Sequence, residues 1–331
     1  MALSCQSVAQ TLTDVIARRP VLKPVLRAFE DLLAARSALA GELTAAWTNS
    51  AAAGGSCPPE WQTERAARGL SLLTGAPLTG LCISVRTAAE RLLPLLCAQE
   101  SLASQSTALE DFFLAPPVLG PDSKPDRRDA LARAMLSGDA PAFRNLADEA
   151  GLAPELLEFA AEFILSPPLR ALAARAVQAG QVEREGPNSA PWDEEGAWRQ
   201  GYCPVCGSFP VIGWLDKPFF EEKNAFLSGG GGKKHLYCSL CGTNWKFRRG
   251  TCPSCGKDGN GVMEILRESG AARGERVDWC TSCKTYCPTL DLRENDAIPN
   301  MDAMTLGMLH LDMVAARKGL GPLKASFWNL F

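Results

Sequence analysis

Eight cysteines of this chain fall into four C-x2-C pairs: Cys203/Cys206, Cys238/Cys241, Cys252/Cys255 and Cys280/Cys283. A C-x2-C turn points two thiolates at one ion, and two such turns complete a tetrahedral four-sulfur site. Eight thiolates therefore suffice for two metal ions. Glycine follows three of the pairs, as Gly207, Gly242 and Gly256. It can take a positive φ there and so turn backbone N–H groups toward sulfur. A four-sulfur site holds zinc or a rubredoxin-like iron equally well by ligand type. With all four positions filled by sulfur, no place is left for a metal-bound water. The chemistry implied is structural or one-electron, not hydrolytic.

Three pairings are open. A nested one would join the two central pairs across only ten residues, and an interleaved one needs crossing connections. The sequential pairing closes loops of 31 and 24 residues, long enough for strands. CPVCGS and CPSCGK then open two similar units, and this internal repeat favours the sequential pairing. Under it, YCSLCGTNWKFRRGTCPSCG (Tyr237–Gly256) is the seam between two sites. Tyr202, Tyr237 and Trp279 each precede a pair, and Trp245 follows Cys241. Modules with so little apolar core need such rings to cover a metal. As a strand, WKFRR puts Trp245 and Phe247 on one face and Lys246 and Arg248 on the other, a candidate docking edge.

Other reactive residues carry less. Cys287, in CTSCKTYCP, matches a fragment of an iron–sulfur ligand run whose remainder is missing, and reads as a spare thiol. Cys82 and Cys97 lie in apolar helical text and read as small buried hydrophobes. The chain has two histidines. His235 could support the second pair from behind, and His310 reads as an ordinary helix residue. No Ser/His/Asp set, carboxylate pair or dinucleotide fingerprint is evident.

The elements that must position these cysteines differ between the halves. The 331 residues favour two domains, and 46% apolar content supplies a core. Residues 1–182 carry apolar residues at helical spacing, with Asp126, Pro141, Pro154 and Pro168 as start signals and Gly138, Gly151 and Gly180 as stops. Residues 183–201 read as a linker that Trp192 and Trp198 could anchor. Residues 202–249 form a first four-cysteine module. Residues 250–331 form a second, with a C-terminal amphipathic helix that Gly319 stops. Strands are expected at 208–215, 234–238, 243–248, 261–268 and 276–280, with a glycine-rich turn at Ser228–Lys234. The fold class is α+β: an all-α domain, then two tandem rubredoxin-like or zinc-ribbon β modules and a helix.

Net charge is −3, split as −6 over residues 1–200 and +3 over 201–331. Neither part is a strong polyanion binder, so a nucleic-acid partner is not expected. No apolar run is long enough to cross a membrane. The N-terminus lacks the order of a signal peptide. The expected location is the cytoplasm, where clustered C-x2-C pairs mean metal or redox chemistry before disulfides.

The whole pattern resembles the FdhE-type formate dehydrogenase accessory proteins. YCPVCGSFPVIG, LYCSLCGTNWKFRRGTCPSCG, WCTSCKTY and the closing HLDMVAARKGLGPLKASFWNLF carry the resemblance, after an N-terminal helical region. It implies a cytoplasmic maturation factor and not an enzyme. It further implies rubredoxin-like iron held by the eight paired cysteines, and association with the catalytic subunit of formate dehydrogenase. Ser228–Lys234, Cys287 and Lys284, which stands where the other pairs have glycine, depart from the pattern. Two other readings compete: a rubredoxin-like electron-transfer protein, and a zinc ribbon that binds nucleic acid.

Overall fold

The computed structural model describes residues 5–49, 58–78, 80–116, 125–181, 190–194, 196–216, 232–268, 274–326 and 328–329. Cys57, much of the expected linker and most of Ser228–Lys234 lie outside these residues.

Ten helices precede the first cysteine pair among the described residues: α1 (Val8–Arg18), α2 (Lys23–Asn49), α3 (Thr63–Ala67), α4 (Leu81–Cys97), α5 (Glu100–Ala103), α6 (Ser106–Leu114), α7 (Arg127–Ser137), α8 (Ala140–Ala150), α9 (Pro154–Ile164) and α10 (Ser166–Gln181). Local chemistry sets their ends. Ser7 and Gln10 form a reciprocal capping box on α1, and Asp126 and Asp139 cap α7 and α8. Gly138 and Gly151 close those two helices in the left-handed conformation, and the described part of α10 ends at Gln181, one residue past Gly180.

The second half supplies β1 (Ile212–Leu215), β2 (Lys234–Tyr237), β3 (Asn244–Phe247), β4 (Met263–Leu266), β5 (Glu275–Cys280), β6 (Thr285–Asp291) and β7 (Gly321–Pro322). The six longer strands run in the order β3-β2-β1-β6-β5-β4. Two antiparallel hairpin modules are thus joined edge to edge by a parallel pairing of β1 with β6. Strand β6 is not among the expected strands. Its TYCPTLD text contains a proline, which weakens a strand signal, yet the strand is central and buried. The closing helix is also not continuous: α11 (Met301–Gly307) and α12 (Leu309–Arg317) break at Met308. Gly307 packs against Val15 of α1, where an added Cβ would lie 2.9 Å from a valine methyl. Gly319 ends the segment at φ +70°, as expected.

One apolar core runs from the helices into the sheet, from Leu12, Leu26 and Phe163 through to Trp245, Val277 and Leu290. Trp192 and Trp198 are buried against Trp61, with ring centroids 5.8 and 6.2 Å away. They anchor the end of the expected linker to the helical half.

Candidate metal centres

The second pair of each module is the turn of a β-hairpin. Strand β2 ends immediately before Cys238 and β3 begins three residues after Cys241; β5 ends at Cys280 and β6 begins two residues after Cys283. The pairing registers match, Tyr237 with Asn244 and Trp279 with Tyr286. The first pair of each module is a free-standing turn. Cys203 N–H donates to Ser208 O at 2.9 Å and Gly207 N–H to Cys203 O at 3.0 Å. Cys252, Lys257 and Gly256 repeat this at 2.8 and 3.0 Å. All four turns end left-handed: Gly207 at φ 78°, Gly242 at 71°, Gly256 at 71°, and Lys284 at 61°. Lys284 is the one non-glycine with positive φ among the described residues. It accepts a conformation that favours glycine because the turn must close on Cys280 O.

These turns gather the sulfurs as the sequential pairing requires. Cys203, Cys206, Cys238 and Cys241 form one cluster, and Cys252, Cys255, Cys280 and Cys283 another, with all Sγ atoms of a cluster within 4.8 Å of each other. Cross-pair distances are 3.4 Å for Cys203–Cys241 and Cys206–Cys238, and 3.6 and 3.8 Å for Cys252–Cys283 and Cys255–Cys280. A metal–sulfur bond of about 2.3 Å gives a tetrahedron with S···S edges of about 3.8 Å. Both clusters fit, and each could hold one metal ion.

Electrostatics point the same way. Burial pushes the Cys203 thiol well above its ordinary range and the Cys252 thiol up to about 12. Hydrogen bonding to Cys203 first, then to the other two sulfurs, raises Cys206 as well. Four crowded thiolates are unfavourable here without a cation; a bound divalent ion reverses that balance. Burial also opposes ionisation of Cys283, but the hydroxyl and N–H of Thr285 outweigh it and bring the thiol down to about 6. The Thr285 hydroxyl lies 3.0 Å from Cys283 Sγ, and Thr243 repeats the contact with Cys241 at 3.1 Å. Sequence reasoning misses these threonines. Their signal is the shared C-x2-C-x-T of CSLCGT and CTSCKT.

Other candidates are placed elsewhere. Cys287 is buried on β6 opposite Asp278 and joins neither cluster; burial raises its thiol to about 12. Cys82 is buried on α4, Cys97 is half-buried at that helix's end, and Cys5 is exposed. His235 stacks on Trp214, centroids 4.1 Å apart, and its Nε2 lies 2.8 Å from Asp216 Oδ2, away from the cysteines. His310 lies on α12 with Nε2 3.6 Å from Glu275. Trp245 and Phe247 are buried while Lys246 is exposed, the expected alternation on β3. The phenol of Tyr202 donates to Gly69 O and that of Tyr237 to Asp302.

No protein-family model matches the chain. It is 28% identical over 136 residues to a protein named FdhE homolog from Aquifex aeolicus (strain VF5), covering 40% of this chain and 44% of that protein. It is 32% identical over 129 residues to a FdhE homolog from Shewanella baltica (strain OS185), covering 39% and 38%. The chain thus matches about two fifths of the length of these relatives. It shares a fold with the crystal structure of the FdhE protein from Pseudomonas aeruginosa at a TM-score of 0.54 and 22% identity, over 95% of this chain and 92% of that one.

Proposed function

We propose that the chain is a member of the FdhE family and a cytoplasmic accessory factor for formate dehydrogenase, binding the catalytic subunit through its cysteine-rich region. Cys203, Cys206, Cys238 and Cys241 ligate one metal ion in this reading, and Cys252, Cys255, Cys280 and Cys283 a second. The observation that carries the proposal is the pair of closed four-sulfur clusters on one sheet. Closed four-sulfur centres order a surface and do not turn over substrate, so the protein is not an enzyme in this reading. Its partner is the client subunit, met on the exposed face of β3 and the seam that follows. Lys246 and Arg248 are exposed there. Tagged protein should retain the formate dehydrogenase catalytic subunit on a pull-down. Reversal of Lys246 and Arg248 to Glu should weaken that capture. Unaltered formate dehydrogenase activity in a strain lacking the protein would overturn the reading.

A second reading takes the exposed centre as a rubredoxin-like iron that exchanges electrons with the client. Cys255 is exposed and Cys283 half-buried, which gives the second cluster a short path to a partner. Anaerobically purified protein is then red and bleaches reversibly on reduction. Colourless protein with two zinc ions after iron-replete expression rejects it.

A further inference from the structure

A group of buried charges stands behind the first cluster, and its signs do not balance. Arg36 of α2 and Arg170 of α10 converge on Asp302 of α11. Arg36 Nη2 lies 2.9 Å from Oδ1, and Arg170 Nη1 lies 2.9 Å from Oδ2. Tyr237, the residue before Cys238, donates its hydroxyl to the same Oδ1 at 3.0 Å. Arg170 Nη2 also donates to the carbonyl of Ser239, between the two cysteines of the knuckle, at 2.6 Å. The remaining pair is Lys324 with Glu162 at 2.6 Å. At Asp302 two cations thus face one carboxylate, a local surplus of one positive charge, while Lys324 faces both Glu162 and Glu158.

That surplus is well buried. Arg36 is 4% exposed and Asp302 6%. Burial depresses the pKa of Arg36, and Asp302 restores only part of it. An unbalanced charge away from water is expensive unless an opposite charge lies nearby. Four thiolates around a divalent ion carry two negative charges, whereas four neutral thiols carry none. The second cluster also has buried cations near it, but they meet on its own strand: Lys234 and Arg276 reach Asp278, two residues before Cys280, at 2.8 and 2.9 Å. Its other nearby ion pair, Arg248 with Asp258, is 78% and 52% exposed.

We infer that Arg36, Arg170 and Asp302 form a counter-charge for the metal-loaded first cluster, through which loading strengthens the grip of the helical half on its second knuckle. The inference rests on reading the clusters as metal centres. Removing the surplus charge weakens metal retention at the first cluster and leaves the second unaffected. These are positioning residues, since none touches a sulfur.

The test uses full-length protein with Cys255 and Cys283 changed to Ser, so that only the first cluster remains, loaded with zinc alone. Arg36→Met removes one charge, conserves volume and breaks no bond to the knuckle. Zinc release to a chromophoric chelator should accelerate on the order of tenfold. The gap in melting temperature between loaded and unloaded protein should narrow. Asp302→Asn changes the surplus in the opposite sense and serves if Arg36→Met does not fold; it should widen that gap. Equal shifts in loaded and unloaded protein, with unchanged release, overturn the inference and reduce these residues to packing. Failure of the parent protein to take up zinc overturns the metal reading itself, and the inference with it.

Discussion

The two clusters have the same two-turn grammar and opposite surroundings. The first is sealed: all four cysteines are buried, and the helical half holds both knuckles by their backbones. Leu72 and Leu73 N–H groups donate to Pro204 and Val205 at 2.8 and 2.9 Å, and Ser71 Oγ donates to Cys203 O at 2.8 Å. Arg170 donates to Ser239. The second stands at the far side of the sheet with Cys255 exposed, and Gly256, Gly259 and Gly261 have open space around them. One repeat has become a keystone of the fold and the other a surface feature. Burial and anchoring set the division, since ligand chemistry is the same in both.

The largest expected difference follows from cutting each cluster. Cys206→Ser should cost on the order of 5 kcal/mol, because in the proposed reading it removes a metal ligand where the helices dock. Cys255→Ser should lower the stability of the helical core by about 1 kcal/mol or less. Both should lose one metal ion per chain. Metal analysis and helical circular dichroism on heating separate the two, and equal melting shifts would erase the proposed contrast.

The polar groups behind each module give the next difference. Tyr237 meets an Asp302 carboxylate whose pKa burial would raise, but which Arg170 and Arg36 hold below the usual range. Tyr286 donates at 2.8 Å to Asp312, whose pKa burial raises to about 7, with Tyr286 opposing only in part. The signs oppose. Stability from Asp302 is present above the carboxylate's unfolded pKa and is lost as pH falls through its depressed folded value. That from Asp312 is full below its unfolded pKa, about 4, and is lost as pH rises toward 7. Asp312→Asn should therefore gain on the wild type as pH rises from 5 to 8, by roughly 2–4 kcal/mol at the upper end. Urea unfolding at several pH values checks this; a gain that does not vary with pH contradicts it.

Glycine substitutions read the same contrast on a smaller scale. Gly242 and Gly256 both sit at φ +71°, but a Cβ on Gly242 meets Arg170 Cγ at 3.3 Å while one on Gly256 meets nothing within 4 Å. Gly242→Ala should cost about 2 kcal/mol and Gly256→Ala about 1 kcal/mol, measured by denaturant midpoint. Lys284→Gly relieves a left-handed lysine at the second site and should stabilise by about 0.5 kcal/mol, the smallest change of the set.

Much of this arrangement was legible in the text. The helical first half, the α+β class and the alternation of Trp245 and Phe247 with Lys246 are local properties of spacing. The sequential grouping of the cysteines followed from the CPxCG repeat. Less visible was β6, where Pro288 and a cysteine sit in a strand that is central because β1 and β5 flank it. The split of the last helix at Met308 was equally hidden, since the close contact of Gly307 with α1 involves residues nearly three hundred positions away.

The sequence by itself determined the cysteine turns: which cysteines pair within a turn, and why each turn needs a residue tolerant of positive φ. Those are short-range facts, fixed by bond geometry over five or six residues. Only the tertiary structure decided which cluster is sealed, which is open, and which charges stand behind them. Arg36, Arg170 and Asp302 are mutual strangers in the chain, and no spacing rule connects them. They meet because α2, α10 and α11 bury apolar faces in one core, and burial is what turns three ordinary surface residue types into an electrostatic device.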